Sequence, residues 1–292
     1  MIIRAFTIAV ILAAGLAASH PATANNLEFQ VVEAEDRNGP QCFRRLFCVF
    51  AARQKTSIKV WAKVLTDTPL TFTMRTYNTK GVSGVIRKGP VVFDRSGVIR
   101  LAYLTAIGGG DASNYPYTYT YHPGRPDTAN PDPNAVYELP FAPGRRHSVS
   151  QGQHNDNTHK KMEAYAVDWN FVVGEPVHAA RGGVVAGAGG WSNSRKRGEG
   201  NFIWIRHADG TYAWYQHLRK DGVLVKRGQK VRTGQHIGFS GNTGKSSGPH
   251  LHFHVSVPTS GRYAFQTIPF RARTSKGIVD KFRSHERHRR PK

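Results

Sequence analysis

Short runs in which apolar and polar residues alternate recur along the chain, and the most regular of them is His250–Val255, H-L-H-F-H-V. Side chains alternate across a strand, so His250, His252 and His254 share one face and Leu251, Phe253 and Val255 take the other. The apolar face anchors such a strand in a core, and the opposite face then presents a row of imidazoles on a rigid element. Alternating or β-branched runs predict further strands at 27–32, 58–64, 70–77, 91–93, 98–103 and 115–121, and again at 164–170, 183–188, 201–207 and 212–218. Gly, Asn, Asp and Pro punctuate these runs, and no stretch has strong helical periodicity. The expectation is an all-β chain.

The 292 residues suffice for two ordinary domains. The spacing of the early runs predicts a small N-terminal β-sandwich over residues 25–122. At its end, Tyr115, Tyr117, Tyr119 and Tyr121 stand on alternate positions. Such a stripe is either a packed sheet face or a sugar-binding platform. Residues 123–147 are rich in proline and read as a linker, or as a strap laid over the next domain. A second domain, 148–275, is punctuated by glycines and holds the polar residues with chemical potential. Residues 276–292 are strongly basic and read as a solvated, partly disordered tail that holds the protein on anionic wall or membrane surfaces.

Composition adds a compartment and a charge. Residues 1–24 carry Arg4, an apolar run from Ala5 to Ala18 and then Ala22-Thr23-Ala24. This is the pattern of a cleaved secretory signal, with an apolar run too short to span a bilayer comfortably. No transmembrane segment is expected after cleavage. Lys and Arg number 41 against 19 Asp and Glu, a formal charge of +22. That balance favours polyanions, and export argues against nucleic acid among them. Cys42 and Cys48 are the only cysteines, and in an exported chain the pair reads as a disulfide.

In the second domain, Asp168 sits in the apolar run Tyr165-Ala166-Val167-Asp168-Trp169, and His217 in Trp214-Tyr215-Gln216-His217-Leu218. A buried carboxylate needs a partner, and a metal or a histidine would serve. Zinc suits these residue types, since a catalytic zinc takes three protein ligands from His and Asp/Glu and leaves a place for water. Spacing alone does not assign the histidines, and the absence of H-E-x-x-H excludes a helical zinc protease.

Five blocks between Ser150 and Val257 carry a family resemblance: Thr158-His159; Tyr165–Asp168; Val173–Val177 with Ala179–Val185; Gly200–His207 with Asp209–Thr211 and Tyr215–Leu218; and GFSGNTGKSSGPHLHF from Gly238. In order and spacing this region resembles the lysostaphin/LytM family of peptidoglycan zinc endopeptidases. The resemblance implies a mostly antiparallel β peptidase domain of the LytM type, the duplicated hybrid motif, with a groove over the metal. It assigns His159, Asp168 and His252 as ligands of one zinc per chain, and His217 and His250 as catalytic histidines. Eight residues separate His159 from Asp168, where the common family pattern has three. His154 therefore competes with His159 for the first ligand position. His254 and Asn201 are candidates to steady the ligands.

The reading is an exported zinc metalloendopeptidase, periplasmic rather than fully secreted, that hydrolyses cross-link or stem peptides of peptidoglycan. Three rivals stand beside it: a non-catalytic or latent wall-binding or activator protein on the same fold, a secreted protease acting on Gly-rich proteins, and a polyanion binder.

Overall fold

The computed structural model describes residues 41–292 apart from 44–45, 77–80, 87–88, 113–114, 116, 156–157 and 194–199. The signal sequence expected over residues 1–24 and the strand expected at 27–32 lie outside the described residues.

The described residues are almost entirely β, as expected, with only two short 3-10 turns. Eight strands build the N-terminal module: β1 (Gln41–Phe43), β2 (Phe47–Gln54), β3 (Ser57–Val64), β4 (Leu70–Thr76), β5 (Val82–Ile86), β6 (Val91–Phe93), β7 (Gly97–Ala106) and β8 (Tyr117–Pro123). They form two sheets, ordered β1-β2-β3-β7-β5 and β6-β4-β8. The inward residues of both meet in one core, with Phe47, Val49, Ile58, Val60 and Leu104 from the first sheet and Leu70, Phe72 and Phe93 from the second. Cys42 and Cys48 are cross-strand partners on β1 and β2 and are joined as a disulfide.

Fourteen strands follow: β9 (Val136–Glu138), β10 (Arg146–Gln151), β11 (Val167–Asn170), β12 (Pro176–His178), β13 (Gly183–Gly189), β14 (Asn201–Arg206), β15 (Tyr212–Leu218), β16 (Lys230–Val231), β17 (His236–Phe239), β18 (His250–Pro258), β19 (Phe265–Thr267), β20 (Arg271–Thr274), β21 (Gly277–Val279) and β22 (Arg287–Arg289). Nine of them make one sheet, ordered β16-β13-β14-β15-β18-β11-β10-β22, with β19 also paired to β18. All its pairings are antiparallel; the one parallel pairing of named strands, β9 with β20, belongs to a separate three-stranded sheet.

Register divides this sheet into two faces. Trp169, Leu251, Phe253, Val255, Tyr215, Ile203 and Ile205 point to one side and form the core that β9, β12, β17 and β20 cover. On the other side stand Asp168, His252 and Gln216, aligned across β11, β18 and β15, and next to them His254 and Trp214. The N-terminal module packs on part of this second face. Phe202, Trp204, Tyr212 and Trp214 belong to its hydrophobic core. Phe43 stacks on Trp204 at 5.8 Å, and His122, near the end of β8, meets Trp214 at 5.4 Å and reaches Ser256 Oγ with Nε2 at 2.8 Å. The tyrosine stripe is a packed face, with Tyr121 against Phe47 at 4.7 Å and Tyr119 against the same ring at 6.2 Å.

The proline-rich stretch enters the core of the second half. Tyr137, Leu139 and Phe141 alternate inward and are all buried. The C-terminal stretch corrects the expectation of a solvated tail. Its β22 pairs with β10, Phe282 is 1% exposed, and the buried Arg290 donates through Nη1 to the Phe141 carbonyl at 2.6 Å. The physical reason lies in H-E-R-H-R-R: read at period two, His288 faces inward and Arg287 and Arg289 outward, which is a strand pattern that a count of charges conceals.

Burial lowers the His122 pKa from 6.5 to about 3, against the hydrogen bond to the Pro123 carbonyl, which raises it. Between those two values the unfolded chain binds the extra proton, so stability falls as pH drops from 6.5 toward 3. The melting temperature is therefore expected to decline over this interval, and more gently in His122→Gln. Equal slopes in a pH series of thermal melts would assign the decline to other histidines.

Candidate metal site

The site grows from a carboxylate placed where water cannot solvate it. β11 lies between β10 and β18, and its alternation turns Val167 and Trp169 into the core and Asp168 to the opposite face. The Asp168 side chain is 5% exposed. It is ringed by imidazoles: His252 Nδ1 stands 2.8 Å from Oδ1, His159 Nε2 3.3 Å and His250 Nε2 3.8 Å. Burial alone would raise its pKa, but positive charge shared with the His159 and His252 rings, as a proton or a cation between them, holds it well below the ordinary carboxylate range. Gln151 donates to its second oxygen at 3.0 Å.

Backbone carbonyls fix the tautomers. His159 donates from Nδ1 to the Gly152 carbonyl at 2.9 Å, and His217 does the same to Thr243 at 2.7 Å. His250 donates from Nδ1 to the Gly248 carbonyl at 2.8 Å. Each ring then keeps a lone pair on Nε2. The His159 Nε2 atom is fully buried and has no hydrogen-bond partner. A lone pair facing a carboxylate oxygen at 3.3 Å repels it unless a cation or a proton lies between them. The ligand atoms of His159, Asp168 and His252 lie within 4.8 Å of one another. Two imidazoles and a carboxylate suit a borderline transition metal such as zinc. The donor set and the orphaned nitrogen both fit a bound metal.

The structure brings together five of the residues named from the sequence. His159, Asp168 and His252 form the cluster; the His217 ring lies 4.6 Å from that of His250 and 6.0 Å from that of His252. His154 stays outside, exposed, with its ring against Tyr165 at 4.6 Å. His254 is buried beside the cluster. With His252 Nδ1 turned to the carboxylate, its Nε2–H donates to His254 Nδ1 at 3.1 Å, and the His254 ring stacks on Trp214 at 5.2 Å. Burial pushes the His254 pKa well down. Asn201 is hydrogen-bonded away from the ligand atoms. Its side chain accepts from the Ser192 N–H and donates to the Ser192 and Leu218 carbonyls.

His217 reaches the site through a backbone irregularity. Simple alternation puts Gln216 on the site face and His217 on the other. A bulge intervenes: Phe202 is opposite Gln216 and Asn201 opposite Leu218, leaving His217 as the extra residue, with φ of +62°. Left-handed backbone at a non-glycine residue is costly and concentrates at functional positions. Burial, helped by His250 and His252, lowers the His217 pKa to about 3, so the ring is neutral at physiological pH.

Sequence reasoning missed Thr243. Its carbonyl orients His217, while its hydroxyl accepts from the Asn201 N–H at 2.8 Å and donates to the Leu218 carbonyl at 2.6 Å. The available signal was Gly200. It has φ of +69°, and a Cβ there would stand 2.1 Å from the Thr243 carbonyl oxygen. Only glycine lets the two loops approach this closely.

Comparison with known proteins bears on the region that holds most of these residues. Residues 163–263 match the model of peptidase family M23. The peptidoglycan DD-endopeptidase ShyA of Vibrio cholerae is 37% identical over 119 residues, 40% of this chain and 24% of that protein. The glycyl-glycine endopeptidase ALE-1 of Staphylococcus capitis is 47% identical over 108 residues, 36% of this chain and 28% of that protein. Among solved structures, the catalytic domain of the antimicrobial peptidase lysostaphin from Staphylococcus simulans aligns with 33% identity over 46% of this chain and 89% of that one, at a TM-score of 0.31. The chain thus spans about a quarter of the length of the curated relatives it matches. It carries a peptidase family M23 domain.

Zinc titration of the metal-stripped chain by calorimetry is expected to give one site per chain. His159→Ala, Asp168→Ala and His252→Ala should each weaken it at least about 100-fold, as loss of a ligand or its support does, whereas His154→Ala should bind as the parent does. Loss of binding in the His154 variant alone would reverse the ligand assignment. Gly200→Ala is expected to lower stability by about 2 kcal/mol or more, from left-handed backbone strain and the clash with Thr243, as chemical denaturation would measure.

Proposed function

We propose that the protein is an exported zinc metalloendopeptidase that hydrolyses peptide bonds of peptidoglycan. The observation that carries this reading is the buried Asp168 carboxylate facing the unpartnered Nε2 lone pair of His159 beside His252, with two further imidazoles opposite. A set of three ligands with neighbouring imidazoles fits hydrolysis, whereas a purely structural metal is commonly enclosed by four protein ligands. The M23 domain and relatives named as peptidoglycan endopeptidases support the substrate class. Among the described residues no helix is long and apolar enough to cross a membrane.

His159, Asp168 and His252 would hold the zinc. When bound, it supplies a Lewis acid and brings the pKa of a coordinated water toward ~7. The chain does the rest. His217 and His250 each keep Nδ1 on a backbone carbonyl, so each presents Nε2 to the reacting atoms. One of these nitrogens takes the proton from the attacking water, and the imidazolium that results faces the oxyanion and passes the proton to the leaving amine. His254 holds His252 in the tautomer that leaves Nδ1 free for the metal.

A latent form of the same enzyme is the second reading. The N-terminal module covers Phe202, Trp204 and Trp214 on the sheet face that carries Asp168 and His252, so it narrows the approach to the site.

The test is digestion of purified sacculi by residues 25–292, with released muropeptides identified by mass spectrometry. Zinc-dependent release is expected, abolished by chelator and lowered at least about 100-fold in His217→Ala, the scale of a general acid–base contribution. Zinc binding without release by the full chain, and release after limited proteolysis of the N-terminal module, would favour the latent form. Cleavage that persists after chelation would sink the metallopeptidase reading.

A further inference from the structure

The face that carries Asp168 and His252 is treated differently on its two flanks. The β14–β15 flank is covered by the N-terminal aromatic residues. The β10–β22 flank is open and carries arginines. Arg146 and Arg289 are directly opposite each other across β10 and β22, and Arg287 is opposite Ser148. All three arginines are exposed. Their direction follows from their neighbour: His288 faces the core, 5.2 Å from the Phe282 ring and 5.9 Å from Trp169, so Arg287 and Arg289 point to the site face.

Register connects this flank to the site. Arg287 is opposite Ser148, Ser148 Oγ accepts from Asn170 Nδ2 at 2.9 Å, and Asn170 is opposite His250. The four residues form a row across the sheet. Three strand spacings of about 4.8 Å separate its ends, ~14 Å in all, which a peptide of about four extended residues spans.

The fold does not account for the charges. Like charges directly opposite each other in a sheet are destabilising. Among the described residues, none of the three arginines is in an ion pair. Glu286, the carboxylate beside them in the sequence, is occupied by His288 at 3.3 Å and Arg283 at 3.7 Å. Guanidinium groups match carboxylates in geometry as well as charge, since the planar fork can bind both oxygens.

We propose that Arg146, Arg287 and Arg289 form a subsite for free carboxylates of the substrate peptide, so that the enzyme takes acidic stem peptides in preference to uncharged glycine bridges. The choice of peptide rests on the proposed endopeptidase function; the placement of the arginines does not. Stem peptides of peptidoglycan carry free carboxylates, and a glycine bridge carries none. A peptide lying along the row puts its reacting carbonyl near His250 and its carboxylate over Arg287, with Arg146 and Arg289 to either side of the open flank.

The test is fluorescence polarisation with a labelled disaccharide-tetrapeptide that has free carboxylates and with its fully amidated counterpart. Both are titrated onto the full chain and onto the combined variant Arg146→Gln, Arg287→Gln, Arg289→Gln, and cleavage of sacculi is measured with the same preparations. The parent is expected to bind the carboxylated ligand about ten- to thirtyfold more tightly, the sum of a few partly exposed charge pairs, and the combined variant to bind the two ligands alike. Equal binding by the parent, or a preference retained by the variant, overturns the subsite. So does a variant that keeps the preference but loses sedimentation with anionic vesicles, which would assign the arginines to a lipid surface. A parent that prefers the carboxylated ligand yet cuts nothing leaves the subsite standing and fails the endopeptidase reading. A parent that cuts glycine bridges as readily as stem peptides does the reverse.

Discussion

The site depends on one electrostatic constraint: an ionised carboxylate, Asp168, sits at 5% side-chain exposure where water does not compensate it. Everything around it answers that demand. His252 and His159 approach it, Gln151 donates to its second oxygen, and each of His159, His217 and His250 has its remaining ring nitrogen committed to a backbone carbonyl. Those carbonyls belong to loops, so the loops set the tautomers while the strands set the positions. The glycine at 200 and the bulge at His217 follow from the same demand, since both adjust backbone to bring a donor or a ring to a fixed point.

A second constraint is that a single sheet serves two cores and a site. β14, β15 and β18 bury apolar side chains against the strands of the peptidase half. On the opposite face, aromatic residues of β14 and β15 belong to the core of the N-terminal module. The polar strip of β11 and β18 lies beyond that contact, and the arginine flank beyond the strip. The gradient from aromatic to imidazole to guanidinium across one face follows strand order, with aromatics on β14 and β15, imidazoles on β18 and arginines on β10 and β22.

Much of this was legible in the sequence where residues alternate. The runs at 58–64, 91–93, 98–103, 201–207, 212–218 and 250–255 fall on β3, β6, β7, β14, β15 and β18 with small shifts at their ends. β2 was missed because Phe47–Ala51 is buried almost throughout and shows little alternation. β9 and β22 were missed for opposite reasons, prolines around the first and a run of charge in the second. The gathering of His159, Asp168 and His252 was legible through the family blocks. The placing of His154 outside the cluster was not, because the longer spacing to Asp168 is spanned by a loop whose path depends on tertiary contacts. The role of Thr243 was invisible because it acts through its carbonyl, which every residue has. The contact between the two halves was hidden as well, since Trp204 and Trp214 read the same whether their strand faces one core or two.

That shared aromatic cluster has a consequence for how the protein is inherited and handled. A catalytic block with a solvated outer face can be recombined with other modules, since little changes when its neighbour does. Here the outer face of the block is interior. Detaching the N-terminal module would expose Phe43 and Tyr121 on one side and Phe202, Trp204 and Trp214 on the other, a sticky surface on each fragment. The seam couples the stability of the two halves, so a change in either one is felt by the other.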